Sequence, residues 1–168
     1  MKHINLNPMN PPLNWQDKLP DELPQGWGER AAALCQAQSL TAALRALGGS
    51  FTVKVLYMGE LDGQGNSFGE NHAETAAPQF VRDVLLHLDG VPVVQARSAC
   101  SPQSQAWRGV LDCGTQPLGK RLFDGRLTAE RSPLAFAAVP PAQQEQAARA
   151  VCLRRSAFDL NGEKMVLT

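Results

Sequence analysis

The 168-residue sequence lacks several features that would point directly to a function. Lys and Arg together number 16 and so do Asp and Glu, which leaves a formal net charge of zero at pH 7. Without an overall positive charge, no long-range field attracts nucleic acid or an anionic membrane. No apolar run is long enough to span a bilayer, and the N-terminal residues have no apolar signal-peptide core. These absences predict a cytoplasmic protein that neither binds nucleic acid nor inserts into a membrane.

Cysteine and histidine are also too few and too scattered to indicate a metal centre. The chain has 4 cysteines without any CxxC spacing, and its 3 histidines show no metal-ligand spacing either. The cysteines are Cys35, Cys100, Cys113 and Cys152. We therefore expect free thiols in a reducing compartment rather than a disulfide framework or a zinc site.

The length of the chain predicts a single domain with a core of its own. Residues 1–28 are rich in proline, asparagine and tryptophan without periodicity, which predicts an irregular N-terminal arm. Residues 29–168 carry the domain. Because helix signals are interspersed with hairpin signals, the fold class is α+β, an antiparallel sheet of hairpins with a few helices packed on it.

Local patterns give the positions of the predicted helices, strands and loops. Ser39 is a good helix N-cap, and the glycines after Leu47 end that helix. The polar, glycine-rich residues 59–78 predict a long mobile loop, which is either a functional lid or a disordered segment. The helices are predicted at Ser39–Gly48, Gln103–Cys113, Pro117–Phe123 and Pro141–Ala150. The strands outside the central hairpin are predicted at Ser50–Met58, Leu134–Val139, Val151–Leu160 and Glu163–Thr168.

Two dipeptides predict two-residue hairpin turns. Asn161-Gly162 joins the last two strands in a type I′ turn, and in that register Asp159 faces Lys164, a favourable cross-strand pair. Asp89-Gly90 does the same within Phe80–Cys100, whose sequence is FVRDVLLHLDGVPVVQARSAC.

Arg82 stands out in the first strand of that central hairpin. Side chains alternate along a strand, so Arg82 shares a face with valine and leucine side chains. A guanidinium on an apolar face is costly to bury unless an anion meets it. Arg82 is therefore a candidate binding residue for an anionic ligand, and the other reading is an arginine that pairs with an acid or reaches solvent.

Five segments, taken in order, resemble the chorismate–pyruvate lyase family over roughly residues 39–168. They are SFT at 50–52, VRDVLL at 81–86, DGVPVVQARS at 89–98, QPLGKRLF at 116–123 and RRSAFDLNGEKMVLT at 154–168. The resemblance implies a sheet of about six antiparallel strands, with helical flaps over an internal ligand site. It also implies a monomer that converts chorismate to 4-hydroxybenzoate and pyruvate, the first committed step of ubiquinone synthesis, with no metal or organic cofactor.

The resemblance also implies which residues hold the substrate and the product. Arg82 matches the arginine that binds the ring carboxylate, and backbone N–H groups at Phe51 and Leu118 complete that site. Leu118 is physically suited to this role because Pro117-Leu118-Gly119 opens a helix, where free N–H groups attract anions. The second carboxylate has three candidate partners, which are Arg97, Arg154 and Arg155. No catalytic histidine or cysteine is implied.

One family feature is expected beyond the last residue. The family's closing strand carries a glutamate directly after the position of Thr168, which leads us to interpret residues 29–168 as a domain truncated at its C-terminus. Three hypotheses follow. The protein is an active lyase, a non-catalytic module of the same fold that binds aromatic acids, or an inactive truncated homologue.

Overall fold

The computed structural model describes residues 13–21, 23, 28–62, 77–144 and 150–168. The helices within these ranges are α1 (Gly28–Gln36), α2 (Leu40–Ala46), α3 (Gln105–Leu111), α4 (Leu118–Phe123) and α5 (Pro141–Gln144). The strands are β1 (Phe51–Leu61), β2 (Gln79–Leu88), β3 (Val91–Cys100), β4 (Glu130–Arg131), β5 (Ala135–Ala138), β6 (Cys152–Leu160) and β7 (Glu163–Leu167). No helix in these ranges is both long and apolar enough to span a membrane.

The strands form one antiparallel sheet in the order β1-β2-β3-β7-β6-β4, with β5 paired to another part of β6. The predicted α+β class with a single antiparallel sheet is confirmed, with seven strands rather than six. The difference of one strand is consistent with β4, a two-residue pairing too short to leave a pattern in the sequence.

Both predicted hairpin turns are present with the expected backbone geometry. Asp89 and Asn161 have φ values of 51° and 56°, and the glycines that follow them have 79° and 84°. Positive φ at both central residues is the mark of a type I′ turn. The predicted Asp159–Lys164 pair is also confirmed.

The helices α2, α3 and α4 pack on one face of the sheet, which we call the inner face. Its strands contribute a continuous row of paired side chains, Phe80, Cys100, Met165 and Phe158. Trp107 of α3 is 0% exposed and lies edge-on to Phe158, with ring centroids 6.4 Å apart. Its indole Nε1 donates to the Glu163 carbonyl at 2.7 Å, so burial leaves no unpaired donor on that ring.

The opposite, outer face is covered in part by the N-terminal residues. Leu13 and Trp15 pack against Val139 and Leu153, and the guanidinium of Arg155 lies 4.1 Å from the centre of a Trp15 ring. Trp15 thus contacts the body of the protein. Trp27, most of the predicted loop 59–78 and the end of the predicted helix Pro141–Ala150 lie outside the described residues.

The segment between α2 and β1 is tied to the central turn through Asp89. Asp89 accepts a hydrogen bond from the Ser50 N–H at 2.8 Å through Oδ1, and its own N–H donates to the Ser50 carbonyl at 2.8 Å. Gly48 and Gly49 precede Ser50 with φ values of 82° and 85°. A Cβ atom on Gly49 would lie 2.6 Å from Asp89 Oδ2, whereas one on Gly48 would meet nothing within 4 Å.

We expect Gly48→Ala and Gly49→Ala to separate the backbone cost from the steric cost at this contact. Gly48→Ala should lower the free energy of unfolding by about 1 kcal/mol, because an L side chain disfavours positive φ. Gly49→Ala should cost about 1–3 kcal/mol more, because its methyl group also displaces the Asp89 carboxylate. Urea unfolding measures both values. Equal losses in the two variants would contradict the role given to Asp89.

Candidate active site

Arg82 lies in β2 on the inner face, between the apolar clusters under α2 and under α3–α4. The residue is only 2% exposed. Its Nη2 donates to two backbone carbonyls, that of Gly114 at 2.8 Å and that of Gln116 at 3.2 Å. These bonds fix the plane of the guanidinium beneath the segment that connects α3 to α4.

The positive charge of Arg82 has no anionic partner among the described residues. The ion pairs found there do not include Arg82, and its Nε is buried with no hydrogen-bond partner. Burial lowers the pKa of Arg82 below its ordinary value; Cys113 acts in the opposite direction, and the charge of Arg121 adds to the lowering. A buried guanidinium with an unused donor is a site prepared for an anion.

The structure places Leu118 two residues after Gln116, whose carbonyl Arg82 contacts. Leu118 is the first residue of α4, so its N–H belongs to the first turn, where no carbonyl of the same helix is available. The side chain of Leu118 is buried in the core.

The first turn of α2 also reaches this place, which the sequence alone did not indicate. A Cβ atom on Gly119 of α4 would lie 3.1 Å from Thr41 Oγ1 and 3.6 Å from Ser39 Oγ. The starts of α2 and α4 are therefore in contact, and we call this contact the α2–α4 junction. Ser39 was identified as an N-cap, and its Oγ accepts from the Ala42 N–H at 3.3 Å. No local signal shows which element that cap faces.

Phe51 is not brought to Arg82. It pairs with Leu88 at one end of the β1–β2 ladder, whereas Arg82 pairs with Met58. Six residues along a strand correspond to about 20 Å. The Phe51 ring packs instead under the guanidinium of Arg45, at 5.2 Å from the ring centre. The geometry thus does not support a backbone role for Phe51 beside Arg82.

Arg97 is placed on the outer face and is already paired. Its Nε and Nη2 donate to the two carboxylate oxygens of Asp83 at 2.7 and 2.6 Å, and the two side chains are 6% and 5% exposed. The cause is a β-bulge next to the hairpin turn. Val94 pairs with Leu86 and Pro92 with His87, so Val93 is left without a partner and the register shifts by one residue. That shift turns Arg97 away from Arg82.

Arg154 and Arg155 lie on opposite faces of β6. Arg155 is on the outer face against Trp15, as described above. Arg154 is on the inner face, where its Nη1 donates to the carbonyls of Cys35 at 2.7 Å and Ala37 at 2.6 Å. Burial, followed by the charge of Arg131, lowers the pKa of Arg154 to about 10.

Arg131 is a third inner-face cation, and sequence reasoning missed it. Its Nε donates to Ser156 Oγ at 3.0 Å and its Nη1 to the Gln38 carbonyl at 2.7 Å. Burial lowers the pKa of Arg131. Arg131 and Arg154 together hold the residues between α1 and α2 against the sheet. The first turn of α2 is thereby positioned for the α2–α4 junction.

The fold and these contacts define the class of the protein as a single-sheet α+β domain with buried, unpaired arginine on its inner face. The Chorismate lyase family matches residues 19–168, and the chain belongs to that family. The expected family resemblance is confirmed and extends further toward the N-terminus than residue 39.

Individual relatives carry the same name. The chain is 38% identical over 117 residues to a probable chorismate pyruvate-lyase of Albidiferax ferrireducens, covering 67% of this chain and 57% of that protein. It is 36% identical over 113 residues to one of Ralstonia nicotianae, covering 65% and 56%. It is 35% identical over 157 residues to one of Azoarcus sp., covering 80% and 79%. The matched part thus spans little more than half the length of the first two relatives.

Solved structures give only a weak similarity. PhnF from Mycobacterium smegmatis is 17% identical with a TM-score of 0.45, covering 78% of this chain and 63% of that one. The effector domain of the same protein is 15% identical with a TM-score of 0.43, covering 77% and 86%. At these values the similarity carries no argument about this chain.

Removal of the Asp83 charge should destabilise the protein far more than removal of a surface acid. Asp83→Asn removes the carboxylate charge that meets Arg97 at 2.6 Å in a buried pair, which we expect to cost about 3–5 kcal/mol. The matched control is Glu60→Gln, because Glu60 pairs with Arg108 where the side chains are 57% and 44% exposed. That change should cost less than about 1 kcal/mol. Urea unfolding distinguishes the two, and similar losses would contradict the importance of the buried pair.

Proposed function

We propose that this protein is a chorismate pyruvate-lyase that converts chorismate to 4-hydroxybenzoate and pyruvate. The observation that carries the proposal is the buried Arg82, whose Nε has no partner, in a chain that belongs to the Chorismate lyase family. A carboxylate on the substrate ring supplies the missing partner. Charge-assisted hydrogen bonds to a guanidinium are among the stronger polar contacts in proteins.

The reaction makes modest demands on the protein. Chorismate loses the hydrogen on C4 and the ether bond at C3, and the ring becomes aromatic, which supplies the driving force. In a cyclic path, the C4 hydrogen passes to the methylene carbon of the enolpyruvyl group while the C3–O bond breaks, and pyruvate leaves. The protein then needs to hold the reactive conformer and stabilise charge that moves toward the ether oxygen. No strong base is required.

Arg82 is proposed to anchor the ring carboxylate through its Nε–H. Because Nη2 already donates to the carbonyls of Gly114 and Gln116, the guanidinium is held in place before the ligand arrives. The N–H of Leu118 is proposed as a second donor. The family resemblance implies a further backbone donor at Phe51. That role is proposed instead for the first-turn N–H groups of α2, which meets α4 at Gly119.

The second carboxylate of chorismate is proposed to bind Arg131 or Arg154, the other two arginines described above on the inner face. Arg97 is occupied by Asp83 on the other face. Arg154 lies on β6, three strands from β2 across the inner face, or about 14 Å between backbones. The long side chains of arginine shorten that span.

Three wider statements belong to the same proposal and rest on the family resemblance. They are a place at the first committed step of ubiquinone synthesis, a cytoplasmic location, and a monomeric state. The division into an arm of residues 1–28 and a domain of residues 29–168 is likewise proposed.

Incubation with chorismate should yield 4-hydroxybenzoate and pyruvate in equal amounts. Arg82→Ala should lower kcat/KM about 10- to 100-fold or more, since a lost hydrogen bond to a charged group costs about 1.5–3 kcal/mol. Arg126→Ala is the matched control and should leave the rate unchanged, because the Arg126 side chain is 90% exposed. Ultraviolet absorbance follows 4-hydroxybenzoate, and a coupled lactate dehydrogenase assay follows pyruvate.

The lyase proposal fails if folded protein forms neither product. Calorimetric titration with 4-hydroxybenzoate then separates the alternatives. Binding that is lost in Arg82→Ala would favour a non-catalytic aromatic-acid module, and absence of binding would favour an inactive homologue.

Gly119→Ala should weaken ligand binding through the α2–α4 junction. The added methyl group meets Thr41 at 3.1 Å, so α2 has to move by a few tenths of an ångström away from α4. We expect a several-fold rise in KM and in the dissociation constant of 4-hydroxybenzoate. Gly109→Ala, in α3, is the control, because its methyl group meets nothing within 4 Å. It should raise stability by about 0.5–1 kcal/mol and leave KM unchanged. An unchanged KM in Gly119→Ala would contradict a role of the α2–α4 junction in ligand binding.

A further inference from the structure

Two cysteines that the proposed reaction does not use lie next to each other. Cys35 is near the end of α1 and Cys152 is the first residue of β6. The two thiols are close enough to each other for a hydrogen bond, and the Cys152 Sγ also donates to the Leu153 carbonyl at 3.5 Å. Both residues are half-buried and unbridged, so a small oxidant has access to them.

A second contact holds the same two elements together. Arg154 follows Cys152 by two positions in β6, so the two side chains share the inner face. The Arg154 guanidinium donates to the carbonyls of Cys35 and Ala37. The end of α1 is therefore fixed against the start of β6 by contacts that do not involve sulfur.

The two thiols are electronically unequal. The hydrogen bond with Cys152 lowers the pKa of the Cys35 thiol, burial opposes this, and the positive charge of Arg154 adds to the lowering. The same hydrogen bond, together with burial, raises the pKa of the Cys152 thiol. By contrast, burial raises the pKa of Cys100 to about 11. Because the Arg154 guanidinium donates to the Cys35 carbonyl at 2.7 Å, its positive charge lies beside Cys35, and we assign Cys35 as the thiol that reacts as a thiolate.

The surroundings allow the sulfur atoms to come closer. A disulfide bond is about 2 Å long, which is shorter than any thiol hydrogen bond. Cys152 is held in the ladder by its pairing with Ala138. The helix α1 has no buried residue, and its Leu34 is only partly buried against the core, so a small shift of the helix end toward β6 does not open the core.

We propose that Cys35 and Cys152 are a redox-active dithiol that closes to a disulfide and ties α1 to β6. With hydrogen peroxide as the oxidant, the Cys35 thiolate attacks one oxygen, the O–O bond breaks, and hydroxide leaves. The sulfenic acid on Cys35 is then attacked by the sulfur of Cys152. The S–S bond forms, the S–O bond breaks, and water leaves with the proton of the Cys152 thiol. Peroxide accepts the two electrons that the dithiol loses.

The position of the dithiol connects it to the candidate site. Ala37 and Gln38 join α1 to Ser39, the N-cap of α2. A disulfide at Cys35 therefore restrains the chain just before the α2–α4 junction. An effect of the disulfide on ligand binding rests on the proposed function, whereas formation of the disulfide does not.

Native protein treated with a small excess of hydrogen peroxide tests the proposal without any substrate. Titration after denaturation should show the number of free thiols falling from 4 to 2, and dithiothreitol should restore all 4. Peptide mapping without reduction should identify the Cys35–Cys152 bridge. Cys35→Ser and Cys152→Ser should each abolish it, and the control Cys100→Ala should retain it. A bridge that involves Cys100 or Cys113, four remaining thiols, or sulfinic acid on Cys35 without a bridge would each overturn the proposal.

Limited proteolysis tests the tie between α1 and β6 separately. Arg30 is an exposed trypsin site within α1. Oxidised protein should be cleaved after Arg30 several-fold more slowly than reduced protein, because the bridge opposes local opening of the helix. In Cys152→Ser, peroxide should make no difference to the rate. Equal cleavage rates for oxidised and reduced wild-type protein would contradict the proposal that the disulfide restrains α1 against β6.

Discussion

The buried ion pair between Asp83 and Arg97 determines which arginine of the central hairpin is free to bind a ligand. Its two hydrogen bonds join β2 to β3 on the outer face. Because an unpaired charge in that position is costly, the pair stabilises the register that the bulge at Val93 produces. With Asp83 directed outward, the neighbouring Arg82 must point inward, where no acid among the described residues pairs with it. The same register therefore pairs Arg97 with Asp83 and leaves Arg82 without an acid among the described residues.

The turn of the central hairpin could be predicted from the sequence, but the pairing of Arg97 could not. The Asp89-Gly90 turn and the inward direction of Arg82 follow from local patterns, and the structure contains both. Counted regularly from the turn, however, Arg97 would stand opposite Arg82 on the same face. The unpaired Val93 shifts that count by one, so Arg97 meets Asp83 instead. A bulge formed by a valine leaves no compositional signal.

The candidate site shows the same limit at longer range. Two Ser-x-Thr triplets, at residues 39–41 and 50–52, look alike in the sequence. Only the packing of α2 on Gly119 shows that the first triplet is the one beside the site. The contacts of Arg131 and Arg154 with the carbonyls of Gln38 and Ala37, between α1 and α2, join residues far apart in the chain, and no local rule predicts them. The sequence analysis did not predict α1, a helix with no buried residue.

The sheet consists of two locally connected parts that share a short seam. One part contains β1, β2 and β3, which follow one another in the chain, and the other contains β6 and β7, which do the same. The seam joins β3 to β7 through three residue pairs, from Ser98–Leu167 to Cys100–Met165. Pairings between distant residues require closure of a long loop and form more slowly than local hairpins. The arginines of the inner face belong to both parts, Arg82 to the first and Arg154 to the second. The inner face that carries these arginines is therefore complete only when the seam closes, which is expected late in folding.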